Sequence, residues 1–349
     1  MSKLKELFIS LTVRNYRLFF MGQLISLIGT WVQRTAMSWY VYRLTHSPFL
    51  LGVVAFLSMI PALFISPFAG AWADRWDRRK TLIGTQILFM LQASLLAAGV
   101  LTGFINELRW WPLLVLALFQ GCVDGPFRQN FVLDLVGKKS LLPNAIATNS
   151  AMFNSARLLG PSIGGIMIVL VGEGICFLIN ALSYLAVIGS LMAIRIQYRK
   201  PPESKENIFA KIKEGWSYSW RNLPIRWLIA NLGVFMLFAM SYTSVIPVFA
   251  RDVLKGNAGT QGLLLTCAGV GALASAIYMA GRKTIKGLPW VSIMMGCIGS
   301  LALIGFSQST NLWLSMLMMV FVGMGLTIQM AIANTLLQTI SYPSMRGRV

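Results

Sequence analysis

Residues 70–80 read Gly70-Ala71-Trp72-Ala73-Asp74-Arg75-Trp76-Asp77-Arg78-Arg79-Lys80 and join two apolar runs, 49–69 and 81–104. Six of the seven residues from 74 to 80 are charged, and four of those six are basic. A transmembrane helix needs about 20 predominantly apolar residues, and short cytoplasmic loops are enriched in Lys and Arg. The pattern therefore predicts a tight cytoplasmic loop between two transmembrane helices.

The spacing Gly-x-x-x-Asp-Arg-x-x-Arg-Arg/Lys in this loop resembles the signature loop of the major facilitator superfamily of transporters. The matching residues are Gly70, Asp74, Arg75, Arg78, Arg79 and Lys80. Asp77 departs from the pattern, because that family often has glycine there. The resemblance implies a cytoplasmic gate motif that holds the two halves of a transporter together. The alternative interpretation is a solvated basic loop without this role.

Composition excludes several classes of function. The 349 residues are 56% hydrophobic and 12% charged, whereas soluble domains are roughly 25% charged. The net charge of +19 arises in short clusters between apolar runs, which indicates membrane topology rather than a nucleic-acid partner. One histidine, four cysteines without metal-ligand spacing and no phosphate-binding Gly-Lys-Ser/Thr loop predict no metal site, no cofactor and no enzyme activity.

Hydropathy predicts an all-α membrane protein. The ten predicted spans are 17–42, 49–73, 81–104, 110–133, 143–171, 174–195, 225–250, 259–281, 288–307 and 311–338. With a cytoplasmic N-terminus, the even-numbered turns carry many basic residues and the odd-numbered turns few, as the positive-inside rule requires. The prediction is a multi-pass protein of the cell (inner) membrane, with a six-helix bundle at 1–195, a linker at 196–224 and a four-helix bundle at 225–349.

The major facilitator fold implied by the resemblance has twelve helices. Six predicted spans precede the linker and four follow it, so the second half is two helices short. We therefore expect a truncated C-terminus, and an inactive fragment stays open as an alternative. Residues 121–136 align without gaps with residues 325–340, as a weak internal repeat of the kind many transporters contain.

The linker has an amphipathic pattern. Ile208, Ile212, Trp216 and Trp220 recur at helical spacing among lysines, which predicts a basic helix lying on the anionic inner leaflet of the bilayer. The alternative interpretation is a regulatory docking site.

Charged residues within the predicted spans indicate where the chemistry lies. A charge in a span costs at least about 2.5–3.5 kcal/mol by insertion scales, so it needs a partner, a wet cavity or a function. Asp124 is the one acid placed well within a span. Asp124, Arg128 and Arg157 are the proton-coupling candidates, because a buried carboxyl suits a proton carrier. An ion pair of Asp124 with either arginine is the alternative, and the two interpretations are compatible.

A second group of polar residues is predicted to line a substrate cavity. Arg34, Gln33 and Asn154 are the candidates, with Arg34 binding a substrate anion. Snorkelling of Arg34 to the outer interface and ordinary interhelical hydrogen bonds of Asn154 are the alternatives.

The fifth predicted span contains Gly160-Pro161-Ser162-Ile163-Gly164-Gly165. This Gly-Pro-x-x-Gly-Gly pattern resembles the antiporter motif of the superfamily's exporters. Its proline bends the helix and its glycines permit close helix packing. The alternative is a packing motif that importers share.

Residues 126–129, residues 142–145 and the pair Gln33-Arg34 resemble the branch of enterobactin exporter-like and macrolide efflux proteins. We therefore predict a monomeric, proton-coupled transporter that exports a small amphiphilic molecule by alternating access. Three arginines against one aspartate within the spans favour an anionic, siderophore-like substrate. A macrolide or multidrug exporter and an importer or facilitator of the same fold are the alternatives.

Overall fold

The protein is described by a computed structural model over residues 9–73, 76–120, 125–137, 139–195, 208–239, 241–282, 284 and 286–341. All regular secondary structure in these residues is helical. The chain divides into two compact units, residues 1–204 and 205–349, and the boundary falls within the predicted linker.

The first unit contains six α-helices in the residues that are described. They are α1 (Arg14–Thr45), α2 (Pro48–Ala73), α3 (Arg78–Leu101), α4 (Pro112–Gln120), α5 (Gly125–Val136) and α6 (Leu142–Ala193). Short 3-10 turns precede α1 at Ile9–Thr12 and α6 at Lys139–Leu141. The long helices α1 and α6 pack against each other and form the centre of the unit.

The long helix α6 is interrupted at Gly172, whose φ of 80° and ψ of 170° are not helical. Glycine adopts this positive φ without the steric cost that a Cβ imposes. Two helical parts therefore flank residue 172, at the place where the predicted spans 143–171 and 174–195 meet. The next residue, Glu173, is 5% exposed and forms an ion pair of 3.0 Å with Arg43 near the end of α1.

The second unit contains the remaining helices. They are α7 (Ile208–Arg221), α8 (Leu223–Ala239), α9 (Tyr242–Val248), a π-helical turn (Phe249–Val253), α10 (Ala258–Ala280), α11 (Leu288–Gln308) and α12 (Leu312–Ile340). Helix α12 packs against both α10 and α11. Gln329 of α12 joins it to α11 by donating a hydrogen bond of 2.7 Å to the carbonyl of Ser292.

Six helical segments among the described residues are long and apolar enough to cross a membrane. They are Arg78–Leu101, Leu142–Ala193, Leu223–Val253, Ala258–Met279, Leu288–Gln308 and Leu312–Ile340. Among the described residues these segments agree with the predicted helical, multi-pass membrane protein, whereas ten crossings stay a prediction.

Aromatic residues at the start of α1 contact α5 and α6 in the first unit. Tyr16 and Phe19 are buried there, and Phe19 packs edge-on against Phe131 of α5 with ring centres 5.8 Å apart. The Tyr16 hydroxyl donates a hydrogen bond of 2.8 Å to the carbonyl of Ala145 in α6. These contacts fix the relative positions of the helices that surround the cavity described next.

Candidate substrate cavity

A cavity of about 550 Å³ lies within the first unit. Four helices line it. Helix α1 contributes Gln23, Ser26, Leu27, Thr30, Trp31 and Arg34, and α3 contributes Gln86, Phe89 and Gln92. Helix α5 contributes Arg128 and Gln129, and α6 contributes Asn149, Ser150, Phe153, Asn154 and Tyr184. The lining is therefore rich in amides and aromatic rings, with two arginines and no acidic residue among the side chains described.

The lining residues of α1 follow the helical period. They occur at spacings of three and four residues from 23 to 34, and residues so spaced lie on one face of a helix. This polar face follows from the sequence pattern alone, and it contains Arg34 but not Gln33.

The two arginines of the cavity each lie over an aromatic ring. The guanidinium carbon of Arg34 is 5.2 Å from the ring centre of Trp31, and that of Arg128 is 5.1 Å from the ring centre of Phe153. Such cation–π contacts hold a guanidinium in position without neutralising its charge. The cavity lining therefore contains two guanidinium groups, one on α1 and one on α5, each beside an aromatic ring.

Gln33, predicted to line the cavity, lies instead in a hydrogen-bond chain inside the bundle. It is 1% exposed. Its amide nitrogen donates to Gln92 over 3.0 Å, and its amide oxygen accepts a hydrogen bond of 2.7 Å from Asn180. Gln92 in turn donates to the carbonyl of Leu116. Gln33 thus joins α1 to α3 and α6, and within this chain Gln92 is the member that also lines the cavity.

The structure places only some of the other predicted site residues at the cavity. Asn154 lines the cavity and donates a hydrogen bond to the carbonyl of Ser150, one turn earlier in α6. Arg157 follows Asn154 in α6, outside the described lining, and no ion pair of Arg157 is seen in the part of the chain that the structure describes. Asp124 lies outside the described residues. The structure therefore places Arg34, Arg128 and Asn154 at one cavity.

The glycine-rich motif of α6 is a contact with α1. A Cβ added at Gly160 would lie 2.3 Å from the Cβ of Trp31, and one at Gly164 would lie 3.2 Å from Val32. Pro161 and Gly165 are buried beside them. The motif therefore brings α6 close to the helix that carries Trp31 and Arg34, so that it shapes one wall of the cavity.

The described part of the basic loop joins helix ends within the first unit. Arg78 forms two hydrogen bonds with the carboxylate of Asp134 in α5, at 2.9 and 3.0 Å. Arg79 donates to the carbonyls of Leu191 and Met192 at the end of α6, at 2.8 and 2.9 Å. These contacts connect the start of α3 with the ends of two other helices.

The remaining residues of the basic loop motif at 70–80 lie at the end of α2 and the start of α3 or outside the described residues. Gly70 lies in α2, Lys80 is exposed, and Asp74 and Arg75 lie outside the described residues. The departure at Asp77 has a physical explanation, because its carboxylate accepts hydrogen bonds from the main-chain amides of Arg79 and Lys80. Asp77 is thus the N-cap of α3, a position that favours aspartate.

Several lining residues were not singled out from the sequence. They are Gln23, Ser26, Gln86, Phe89, Gln92, Phe153 and Tyr184. The lining residues on α1 could have been found from the sequence, because they precede Arg34 at the three- and four-residue spacing of a helix face. The residues on α3 and α6 face the cavity through tertiary packing, which the period of a single helix does not specify.

A family model described as Transmembrane secretion effector matches residues 7–349. The chain belongs to this family of the major facilitator superfamily. It is 24% identical to the staphyloferrin A transporter of Staphylococcus aureus over 82% of this chain and 72% of the relative. It is also 23% identical to the enterobactin exporter EntS of Shigella boydii, over 96% and 79%, and 21% identical to macrolide efflux protein A of Streptococcus pyogenes, over 94% and 82%.

Solved structures agree on the fold. A bacterial homologue of the iron transporter ferroportin superposes with a TM-score of 0.71 at 17% identity, over 96% of this chain and 86% of that one. A bacterial homologue of the lysosomal transporter Spinster gives a TM-score of 0.65 at 15% identity, over 95% and 76%. The predicted superfamily is confirmed, and this major facilitator protein is a membrane transporter.

Proposed function

We propose that this major facilitator protein is a proton-coupled exporter of small amphiphilic anions, and that the cavity of about 550 Å³ in its first unit is the substrate site. The observation that carries the proposal is the pair of cavity arginines, Arg34 and Arg128, each held over an aromatic ring. The lining side chains that the structure describes include no acid.

The lining matches the chemistry of such a ligand. A guanidinium donates paired, charge-assisted hydrogen bonds to a carboxylate or to other planar oxyanions. Trp31, Phe89, Phe153 and Tyr184 provide rings that pack against the apolar part of the ligand. Ligand pockets commonly have volumes of about 300–1,000 Å³. A drug-sized molecule that combines oxyanions with rings or alkyl groups therefore suits this cavity.

The relatives supply two candidate substrate classes. The names of two relatives refer to enterobactin and staphyloferrin A, which supports a siderophore-like anion. Macrolide efflux protein A supports a macrolide as the second candidate. Two cavity arginines favour the anion, because they repel a cationic drug.

Transport is proposed to follow alternating access, in which the two units move about a central path. The proposed topology has ten crossings in a monomer, with the N-terminus in the cytoplasm and the basic loops facing an anionic inner leaflet of the cell membrane. Its support is the distribution of Lys and Arg between the predicted spans.

Asp124 is proposed as the proton carrier, with Arg128 and Arg157 as the cations whose interaction with it depends on protonation. Its support comes from the sequence, because Asp124 is an acid within a predicted span and Arg128 follows it by four residues, or one helical turn. Export driven by inward proton flow requires that proton and substrate occupy the site in alternation. Protonation of Asp124 is therefore proposed to weaken substrate binding by changing its interaction with these arginines.

Inverted vesicles that contain the full chain test direction and coupling together. With an acidic lumen, a proton-coupled exporter accumulates enterobactin inside, and Asp124→Asn abolishes this accumulation. Glu107→Gln is the matched control, because Glu107 is an exposed acid in the connection between α3 and α4, and it should leave accumulation unchanged. Release of preloaded enterobactin from the acidic lumen would establish import and refute export. Accumulation that survives Asp124→Asn would remove this residue from the mechanism.

A further inference from the structure

Helices α7 and α8 of the second unit carry an exposed aromatic and cationic surface outside the candidate cavity. Trp216 is 72% exposed, Trp220 is 61% exposed and Trp227 is 64% exposed. Trp216 and Trp220 are one helical turn apart, and their rings stack with centres 6.5 Å apart and an angle of 9° between the planes. The guanidinium of Arg226 lies 5.7 Å from the ring centre of Trp220 and 5.9 Å from that of Trp227. We call these four residues the tryptophan–arginine surface.

This surface has a defined geometry. Asn222 is the single non-helical residue between α7 and α8, and its carbonyl accepts a hydrogen bond of 2.9 Å from the amide of Arg226. The short connection keeps Trp216 and Trp220 on α7 next to Arg226 and Trp227 at the start of α8. Ile225, in the first turn of α8, is fully buried, so this turn is packed on one side.

The surroundings identify the kind of partner. Helix α8 begins the apolar segment Leu223–Val253, which is long enough to cross a membrane. Leu237 and Phe238 of α8 are exposed large apolar residues, as expected of a face in contact with lipid. The tryptophan–arginine surface thus lies at the level where that membrane segment begins. Tryptophan is enriched at this level because its ring is apolar and its N–H is polar.

Charge selects the type of lipid. Residues 195–226 contain eight basic and three acidic residues, and basic segments next to a membrane helix are attracted to anionic headgroups. A guanidinium that lies over indole rings through its face can bind a phosphate through two hydrogen bonds from its N–H edge. A soluble acidic partner would not require the exposed tryptophans or their place beside a membrane segment.

We propose that the tryptophan–arginine surface is a docking site for the phosphate headgroups of anionic lipids, with Trp216, Trp220 and Trp227 inserted at the headgroup level and Arg226 bound to phosphate. The proposal depends on α8 lying in the membrane and not on the transport mechanism, so it stands or fails separately from the proposed export function.

Depth measurements on the full chain test this docking. A spin label is placed on Ser217→Cys, next to Trp216, in a background with the four native cysteines replaced by alanine. The protein is reconstituted in vesicles of phosphatidylcholine alone or with phosphatidylglycerol added. Power saturation then measures the depth of the label, by comparing its contact with lipid-dissolved oxygen and with a water-soluble nickel chelate. With phosphatidylglycerol the label should move to the level of the headgroups, and in phosphatidylcholine alone it should lie in water. High salt should reduce the difference by screening.

Variants separate lipid binding from other causes of the same signal. Arg226→Gln should lower the ratio of docked to undocked helix about fivefold, the contribution of one basic residue near an anionic surface. Trp220→Ser should also lower it. Arg109→Gln is the matched control, because Arg109 also lies over an aromatic ring, at 5.5 Å from that of Phe104, but in the first unit; it should have no effect.

Four results would overturn the proposal. One is a label depth that is equal in the two lipid compositions. Another is an equal loss of depth in Arg226→Gln and Arg109→Gln. The third is a label shielded from both reagents in both compositions, because it would mean that protein rather than lipid covers this surface. Competition by millimolar inorganic phosphate alone would show a phosphate site without lipid docking and would also contradict the proposal.

Discussion

Replacing Gly160 by alanine should destabilise the contact between α1 and α6. The added Cβ would lie 2.3 Å from the Cβ of Trp31 and 3.2 Å from its Cγ. Carbon atoms that are not bonded to each other are in optimal contact at about 3.5–4.0 Å. The nearest atom belongs to the stem of Trp31 and not to the end of a flexible side chain, so the two helices must separate by more than about 1 Å.

Two other glycines of α6 serve as comparisons, which separate the free-energy cost of the steric contact at Gly160 from the effect of alanine on the helix itself. A Cβ at Gly189 would meet no atom within 4 Å, whereas one at Gly164 would lie 3.2 Å from Val32 and Thr35. Alanine replaces a helical glycine in all three variants, so the helix-propensity gain of about 0.5–1 kcal/mol cancels in the comparison. Overpacking costs about 1–3 kcal/mol, which is the expected difference in unfolding free energy between Gly160→Ala and Gly189→Ala. Gly164→Ala should lie between them.

Thermal unfolding of the purified full chain in detergent measures this difference. A thiol-reactive fluorophore reports unfolding by reacting with Cys176, which is fully buried, whereas the exposed Cys297 reacts before heating. For a unit of about 200 residues, 1 kcal/mol shifts the midpoint by about 2–4 °C. Gly160→Ala should therefore unfold about 2–12 °C below Gly189→Ala.

The same variants test whether the α1–α6 contact supports the cavity. Trp31 lines the cavity and lies under Arg34, so Gly160→Ala should weaken ligand binding while Gly189→Ala leaves it unchanged. Equal midpoints for the two variants would refute the close approach of α1 and α6 at Gly160.

Three further predictions use the same unfolding assay. Asp77→Ala removes the N-cap of α3 and should cost about 0.5–2 kcal/mol, whereas Asp77→Asn should unfold close to the wild type; equal losses in both would argue against the cap. The side chains of Arg78 and Asp134 are 20% and 40% exposed. A double-mutant cycle of Arg78→Gln and Asp134→Asn should therefore give a coupling free energy of about 0–1 kcal/mol. A much larger value would contradict a solvated ion pair. Gln33→Leu leaves the buried amide of Asn180 without its partner and should cost about 1–3 kcal/mol; an unchanged midpoint would mean that this hydrogen-bond chain is not formed.

The helices were predictable because each hydrophobic run is long and bounded by charge. The predicted span 259–281 corresponds to Ala258–Ala280, and 311–338 corresponds to Leu312–Ile340. The span 225–250 is less regular among the described residues, where Ser241 is in a turn, Pro247 lies inside α9 and the π-helical turn follows at Phe249–Val253. Hydropathy measures how apolar a segment is, and it does not register local changes in the helical hydrogen bonds.

The cavity was predictable in part. Arg34 and Arg128 were identified because a charge within a span is costly and needs a function or a partner. Gln33 was placed at the cavity because it precedes Arg34 in the sequence, but adjacent residues of a helix point about 100° apart. The helical period from Arg34 leads to Thr30, Ser26 and Gln23 instead, all of which line the cavity.

The partners of individual side chains were not predictable. The Gly-Pro-x-x-Gly-Gly pattern indicates close packing of a helix but not which helix is packed, and the structure identifies α1 through Trp31 and Val32. The pairing of Arg78 with Asp134 likewise joins residues 56 positions apart. Such pairs depend on how the helices are arranged, which local sequence does not encode.

Equilibrium binding to the purified full chain tests the role of the cavity arginines most directly. The probes are enterobactin, staphyloferrin A and erythromycin, and the variants are Arg34→Gln, Arg128→Gln and the control Arg109→Gln. A hydrogen bond to a charged group contributes about 1.5–3 kcal/mol, so each cavity variant should weaken binding of a siderophore about 10- to 150-fold, with no change in the control. Siderophore binding that is unchanged in both cavity variants, or tight binding of erythromycin alone, would contradict an anion site in this cavity.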